Sequence, residues 1–167
     1  MAVDIASASS RIFDSALGEF RLACDMICMQ HAEKCESNIE LLFLAGCEIY
    51  NLCYQMDGRA IFHIADKNCR EVDYSRASII VVPQFQWNNY RIDFCLYSKL
   101  STELFIECDG HEFHERTKEQ AERDRSKDRL IQEAGIPILR FTGRELYRDP
   151  MDCVMQVAKF INTRARL

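Results

Sequence analysis

Apolar residues recur along this chain with two different periods, and the change between them organises the reading. From about Ser10 to Lys34, Ile12, Phe13, Ala16, Leu17, Phe20, Ala23, Cys24, Ile27, Cys28 and His31 follow one another at three- and four-residue spacing. That spacing gathers them on one stripe of a long helix and predicts a buried face. Ser37-Asn38-Ile39-Glu40 then reads as a capping box, in which Ser and Glu satisfy the first free backbone N–H groups of a helix. The helix it opens should run to about Cys53. Leu41, Leu42, Phe43 and Leu44 make it apolar almost all round, so it should be buried.

Between Asp57 and Glu107 the period becomes two. Strands are predicted at Arg59–Ala65, Ser78–Phe85, Tyr90–Tyr97 and Thr102–Cys108. The short polar links 86–89 and 98–101 predict antiparallel pairing of consecutive strands. Thr117-Lys118-Glu119-Gln120 is a second capping box and opens a helix to Ala134, which Gly135 stops. Ile136–Phe141 reads as a short buried strand. Asp149-Pro150 places an N-cap before a proline at the first helical position, and Val154, Val157, Ala158 and Ile161 mark the last helix. The order is ααββββαβα, an α/β arrangement with a mixed sheet flanked by helices. No repeat or linker divides residues 1–167, so one domain is expected.

Composition narrows the class. Of 167 residues, 48% are hydrophobic and 28% charged, which suits a folded core and excludes a disordered chain. No apolar run approaches the roughly 18 residues of a membrane span. The first ten residues lack a basic stretch and include Asp4, unlike a signal peptide, so a cytoplasmic protein is expected. Nine cysteines without a Cys-x-x-Cys suit reduced thiols. Cys24, Cys28, His31 and Cys35 share a helix face, but eleven residues of helix span about 16 Å, too far to converge on one zinc ion. Net charge is −5, yet it is unevenly spread. Residues 1–60 hold 9 acids and 4 bases, whereas Arg116 to the end holds 12 bases and 8 acids. A local basic face is therefore available in the C-terminal half.

The chemistry concentrates between Tyr90 and Phe141. Strand alternation puts Arg91, Asp93 and Cys95 on one face and Ile92, Phe94 and Leu96 on the other. Glu107 and Asp109 share a face of the next strand, roughly 6–7 Å apart. If the hairpin register sets Asp93 opposite Glu107, three carboxylates crowd one patch. Such crowding needs a cation or protons, and hard oxygen ligands are what Mg²⁺ or Mn²⁺ requires. Gly110-His111-Glu112-Phe113-His114 follows at once, and Gly110 permits a sharp turn that returns a histidine over the acids. Taken singly, each acid also fits a solvated sheet face, and Glu40 fits equally a helix cap or a site acid.

These segments resemble a known family. Ile92-Asp93-Phe94, Phe105-Ile106-Glu107-Cys108-Asp109-Gly110-His111-Glu112-Phe113-His114, Arg123-Asp124-Arg125-Ser126-Lys127-Asp128 and Gly135-Ile136-Pro137-Ile138-Leu139-Arg140-Phe141-Thr142 are similar to the very short patch repair endonucleases and their relatives, within the PD-(D/E)XK nuclease superfamily. The resemblance covers about Asn38 to Leu146. It implies a restriction-endonuclease-like fold with a core at 38–146, a helical extension at 1–37 and a C-terminal helix at 149–167. Asp93 matches the metal-binding aspartate and Glu107 the acid of Glu-x-Lys. His114 matches the catalytic histidine, with His111 the lesser of the pair. Glu40 resembles the acid of the first helix, and Asp124 and Lys127 match an Asp and a basic residue on the helix after the motif. Asp109 stands where the superfamily expects Lys, and Ile92 where it expects Pro.

The expectation is a Mg²⁺- or Mn²⁺-dependent endonuclease or nickase acting on DNA, with the ion on Asp93, Glu107 and Asp109. Lys127 should supply the positive charge that Asp109 cannot, oriented by Asp124. Arg116, Lys118, Arg123, Arg125 and Arg129 should contact phosphates, or else form a salt-bridged solvated helix face. Trp87 can stack a base or cover a sheet edge. The alternative is a catalytically weak nuclease-like module that binds nucleic acid or a protein partner.

Overall fold

A computed structural model describes residues 5–54, 60–75, 77–99, 103–110 and 117–164. Helix α1 spans Ile5–His31 and leads through a 3₁₀ turn, Ala32–Lys34, to α2, Asn38–Tyr54. Strands β1 (Ala60–Ile64), β2 (Ala77–Trp87), β3 (Tyr90–Ser98) and β4 (Glu103–Asp109) follow. Then come α3 (Lys118–Glu133), β5 (Ile138–Thr142), α4 (Gly143–Arg148) and α5 (Pro150–Arg164). The expected α/β order is present, with the short helix α4 added after β5. Its start was legible: Thr142 and Glu145 form a full capping box, Thr142 Oγ1 accepting from Glu145 N and Glu145 accepting from Thr142 N.

The five strands lie in sequence order in one mixed sheet. The centre is the antiparallel meander β2–β3–β4, as the short polar links predicted. The outer pairs β1–β2 and β4–β5 are parallel. Asn88, with φ of 51°, makes the tight β2–β3 turn. Gly135, with φ of 68°, ends α3 as the sequence indicated.

Each sheet face carries its own core. On one face, Phe94, Leu96, Leu104 and Ile106 pack with Phe43 and Leu44 of α2 and Val154, Val157 and Ile161 of α5. Phe43 lies 5.0 Å from Phe94, ring centre to ring centre. On the other face, Ile80, Val82, Phe85, Ile92, Cys95 and Phe105 meet Ile131 of α3. Trp87 belongs here, edge-on to Phe105 at 5.6 Å, so it covers the core. All nine cysteines are free thiols.

Two expectations need correction. The stripe of α1 is not buried along its length: His31 is buried and Cys24, Ile27 and Cys28 are half-buried, but Leu17 and Phe20 are exposed. The reason is length. Twenty-seven helical residues reach about 40 Å, whereas the 17 of α2 beneath reach about 25 Å. His31 anchors the overlapping end through Nε2 to Glu48 Oε1, 3.1 Å. Second, Ile92 does not share a face with Phe94 and Leu96; it packs with Cys95 and Phe105. On β2, likewise, Val82 and Phe85 lie in one cluster, although three residues apart they belong on opposite faces of a regular strand. The alternation inverts at one level across both strands, and Gln84, with φ of 51°, sits at that level.

Candidate active site

The β3–β4 register runs from Tyr97↔Glu103 to Phe94↔Ile106. Asp93 and Glu107 are the next positions in line, as the sequence argument required. Asp93 is held from behind: its Oδ2 accepts from Cys108 N at 2.8 Å. Burial pushes the Asp93 carboxyl up to about 7, and the nearby charges of Glu107 and Glu40 add to the rise. The Cys108 N–H bond and Lys127 oppose it. Burial is therefore the main reason that Asp93 resists ionisation, with the neighbouring carboxylates second.

Lys127 answers Glu107 directly. Its Nζ lies 2.6 Å from Glu107 Oε1 and also donates to Arg91 O at 2.9 Å. Both side chains are only 12% exposed, so this ion pair is shielded from water. On α3, Gln120, Arg123, Asp124 and Lys127 fall at i, i+3, i+4 and i+7, one helix face, and all four line a cleft of about 510 Å³. Tyr90, Arg91, Asp93 and Glu107 form its other wall. Asp124 thus stands on the same side as Lys127, as expected. Arg123 donates to Asn89 O at 3.5 Å and lies 5.9 Å over the Tyr90 ring. Arg91 is held by Glu36, at 2.7 and 2.5 Å from its two carboxylate oxygens.

Glu40 is at once cap and neighbour. It accepts from Ser37 Oγ at 2.8 Å and from Glu36 N at 3.0 Å, while Ser37 Oγ accepts from Glu40 N. It is buried and also accepts from Gln84 Nε2 at 2.6 Å, towards the sheet.

Other expected residues fall elsewhere. Asp109 stands 4.0 Å from Arg140 Nη1, and Arg140 also pairs with Asp128. Among the described residues no three His, Cys, Asp or Glu side chains converge closely enough to hold a metal ion. The carboxylates brought together are Asp93 and Glu107. Lys118, Arg125 and Arg129 are exposed and outside the cleft wall. His111, His114 and Arg116 lie outside the described residues. Sequence reasoning missed Tyr90, Arg91, Gln120 and Gln84 as site residues. For Gln84 a signal existed: Pro83-Gln84 interrupts an apolar strand, and a proline inside a central strand marks an irregularity.

A family model described as REase_MTES_1575 matches residues 70–161, more than half of the chain. The chain belongs to this restriction-endonuclease-like family. No curated protein and no solved structure matches it. The restriction-endonuclease-like match takes in the whole cleft wall and most of α5, so the C-terminal helix that the resemblance left outside is part of what the family shares. It starts after α2, leaving Glu40 outside. Among the described residues no helix is long and apolar enough to cross a membrane.

Proposed function

We propose that this chain is a divalent-metal-dependent endonuclease that hydrolyses DNA phosphodiester bonds. The observation that carries the reading is the Asp93–Glu107–Lys127 group in the wall of a cleft. The donor set suits a hard divalent ion: Mg²⁺ is commonly held by one or two carboxylates and keeps several waters. Crowding of Asp93 by Glu107 and Glu40 is what such an ion would relieve. Asp93 and Glu107 would hold it; Asp109, beside Arg140, is the outlying member of the expected trio. Held there, such an ion would supply polarisation of a phosphoryl oxygen and a more acidic water.

The rest falls to the chain's own groups. Lys127 brings a fixed positive charge to the site, in the role Asp109 cannot fill, where the phosphoryl oxygens gain charge. Arg123, over Tyr90, offers a cation and a ring to the nucleic-acid strand along the cleft. Arg125 and Arg129, exposed on other faces of α3, serve as long-range phosphate contacts. His114, with His111 secondary, is the general base by family resemblance.

The test is cleavage of supercoiled plasmid with Mg²⁺, Mn²⁺, Ca²⁺ or chelator, for wild type, Asp93→Ala and Glu107→Ala. Metal-dependent nicking or linearisation that both variants lose is the expected result. Cleavage that persists in chelator, or in either variant, overturns the assignment.

A further inference from the structure

We propose that Gln84 is a positioning residue of this site: its amide ties Glu40 of α2 to the sheet at the position opposite Asp93, and its inverted backbone aims the amide there. The inference rests on the nuclease reading above.

Four observations converge on this one residue. Gln84 has φ of 51° inside a central strand, a conformation costly for a residue with a long side chain. It occupies the position opposite Asp93, between the paired rungs Pro83↔Phe94 and Phe85↔Ile92. Its Nε2 donates to Glu40 Oε2 at 2.6 Å, a short charge-assisted bond. Its Oε1 is buried with no partner among the described residues. The carboxylate of Glu40 explains that orphan: an ionised carboxylate only accepts, so the NH₂ end of the amide must face it.

The surroundings hold this costly geometry in place. Asn68 N donates to Pro83 O at 2.9 Å, and Asn68 Oδ1 accepts from Gln86 N at 3.0 Å. One asparagine therefore clamps the residues on either side of Gln84. Arg70 adds a bond to Gln86 O at 2.8 Å. Helix capping does not need the strained residue, because Ser37 and Glu36 already engage Glu40. What Gln84 adds is a tie from the cap to the sheet at the level of Asp93. At that level the faces of β2 and β3 exchange, so a tie made there from α2 lands at the rung of Asp93. A buried amide that fixes a third carboxylate behind the proposed metal-binding pair orients without touching the substrate.

Two variants separate this role from packing. Gln84→Met removes the amide at similar size, and Gln84→Gly removes it while relaxing the backbone. Each is compared with Glu40→Gln and the double variants, by thermal melting, Mn²⁺ affinity from electron paramagnetic resonance, and single-turnover plasmid cleavage. Folded variants should bind Mn²⁺ about tenfold more weakly or worse, and cleave correspondingly slower. Gln84→Gly should show this loss with an unchanged or raised melting temperature, and each Gln84 variant should be non-additive with Glu40→Gln. Wild-type Mn²⁺ affinity and cleavage in folded Gln84→Met and Gln84→Gly overturn the proposal. So does a loss that follows the fall in melting temperature in both variants. A wild-type protein that neither binds Mn²⁺ nor cleaves overturns the nuclease reading itself, an outcome distinct from failure at Gln84 alone.

Discussion

Helices α2 and α3 cover opposite faces of the same sheet, yet they are held by different forces. Ile39, Phe43, Leu44, Ala45 and Cys47 of α2 are buried, and Asn51 ties the helix to β1 by accepting from Ile61 N and Phe62 N and donating to Phe62 O. Helix α3 buries a single residue, Ile131. Its other ties are polar: Lys127 to Glu107 and Arg91 O, Asp128 to Arg140, Arg123 to Asn89 O. The α2 face is stabilised by apolar area removed from water. The α3 face is docked largely through the charges that form the site. Changes on α2 should therefore cost stability, and changes on α3 should cost chemistry.

The largest effect should come from Phe43→Ala. Phe43 is fully buried and packs on Phe94 and Phe141, so chemical denaturation should show a loss of about 3–5 kcal/mol. A loss below about 1 kcal/mol would blur the contrast between the faces. Next is Lys127→Met, which removes a positioned charge. Single-turnover cleavage should slow about 10²-fold, near 2.7 kcal/mol of barrier, with DNA affinity nearly unchanged. A rate within about twofold of wild type would leave Lys127 only a partner of Glu107.

Asp93 gives a pH test of intermediate size. Its folded pKa, about 7, exceeds the ordinary 3.8, so in chelator the folded chain keeps a proton that the unfolded chain has lost. That stabilisation is complete below about pH 4 and fades as pH rises to about 7. The total change should amount to about 2 kcal/mol, discounted from the full shift because Asp93 keeps some contact with water. Asp93→Asn should flatten the slope in urea melts across this range; an unchanged slope would place the titration elsewhere. The smallest effect should be Arg125→Ala with Arg129→Ala. Stability should move by less than about 0.5 kcal/mol, while the salt slope of DNA binding falls by up to about two.

The fold was legible in the sequence where local rules govern. The capping boxes at Ser37 and Thr117, Gly135 and Asp149-Pro150 set helix ends that the structure keeps. The hairpin links fixed the neighbours of β3, and that register brought Asp93 and Glu107 into line. Lys127 could be expected beside them from helix periodicity joined to family resemblance. Two features escaped because they depend on distant packing. The exposure of α1 reflects the shorter helix beneath it, which no local pattern encodes. The inversion at Gln84 breaks the period-two rule itself. Ile92, assigned by alternation to the face of Phe94, lands on the other one. Contacts from Asn68, Arg70 and Glu40, remote in sequence, hold that inversion.

The topology of the sheet also orders its assembly in time. The β2–β3–β4 meander closes through residues 88–89 and 99–102, whereas β5 returns to β4 only after residues 110–137. Closing the longer loop costs more chain entropy and rewards it later. Asp93 and Glu107 belong to the early-closing meander, and Lys127 belongs to the late segment. A folding chain should thus bring two like charges together before their ammonium arrives. Protons or divalent ions should accordingly speed formation of the meander, and α3 should be the last element to gain amide-exchange protection.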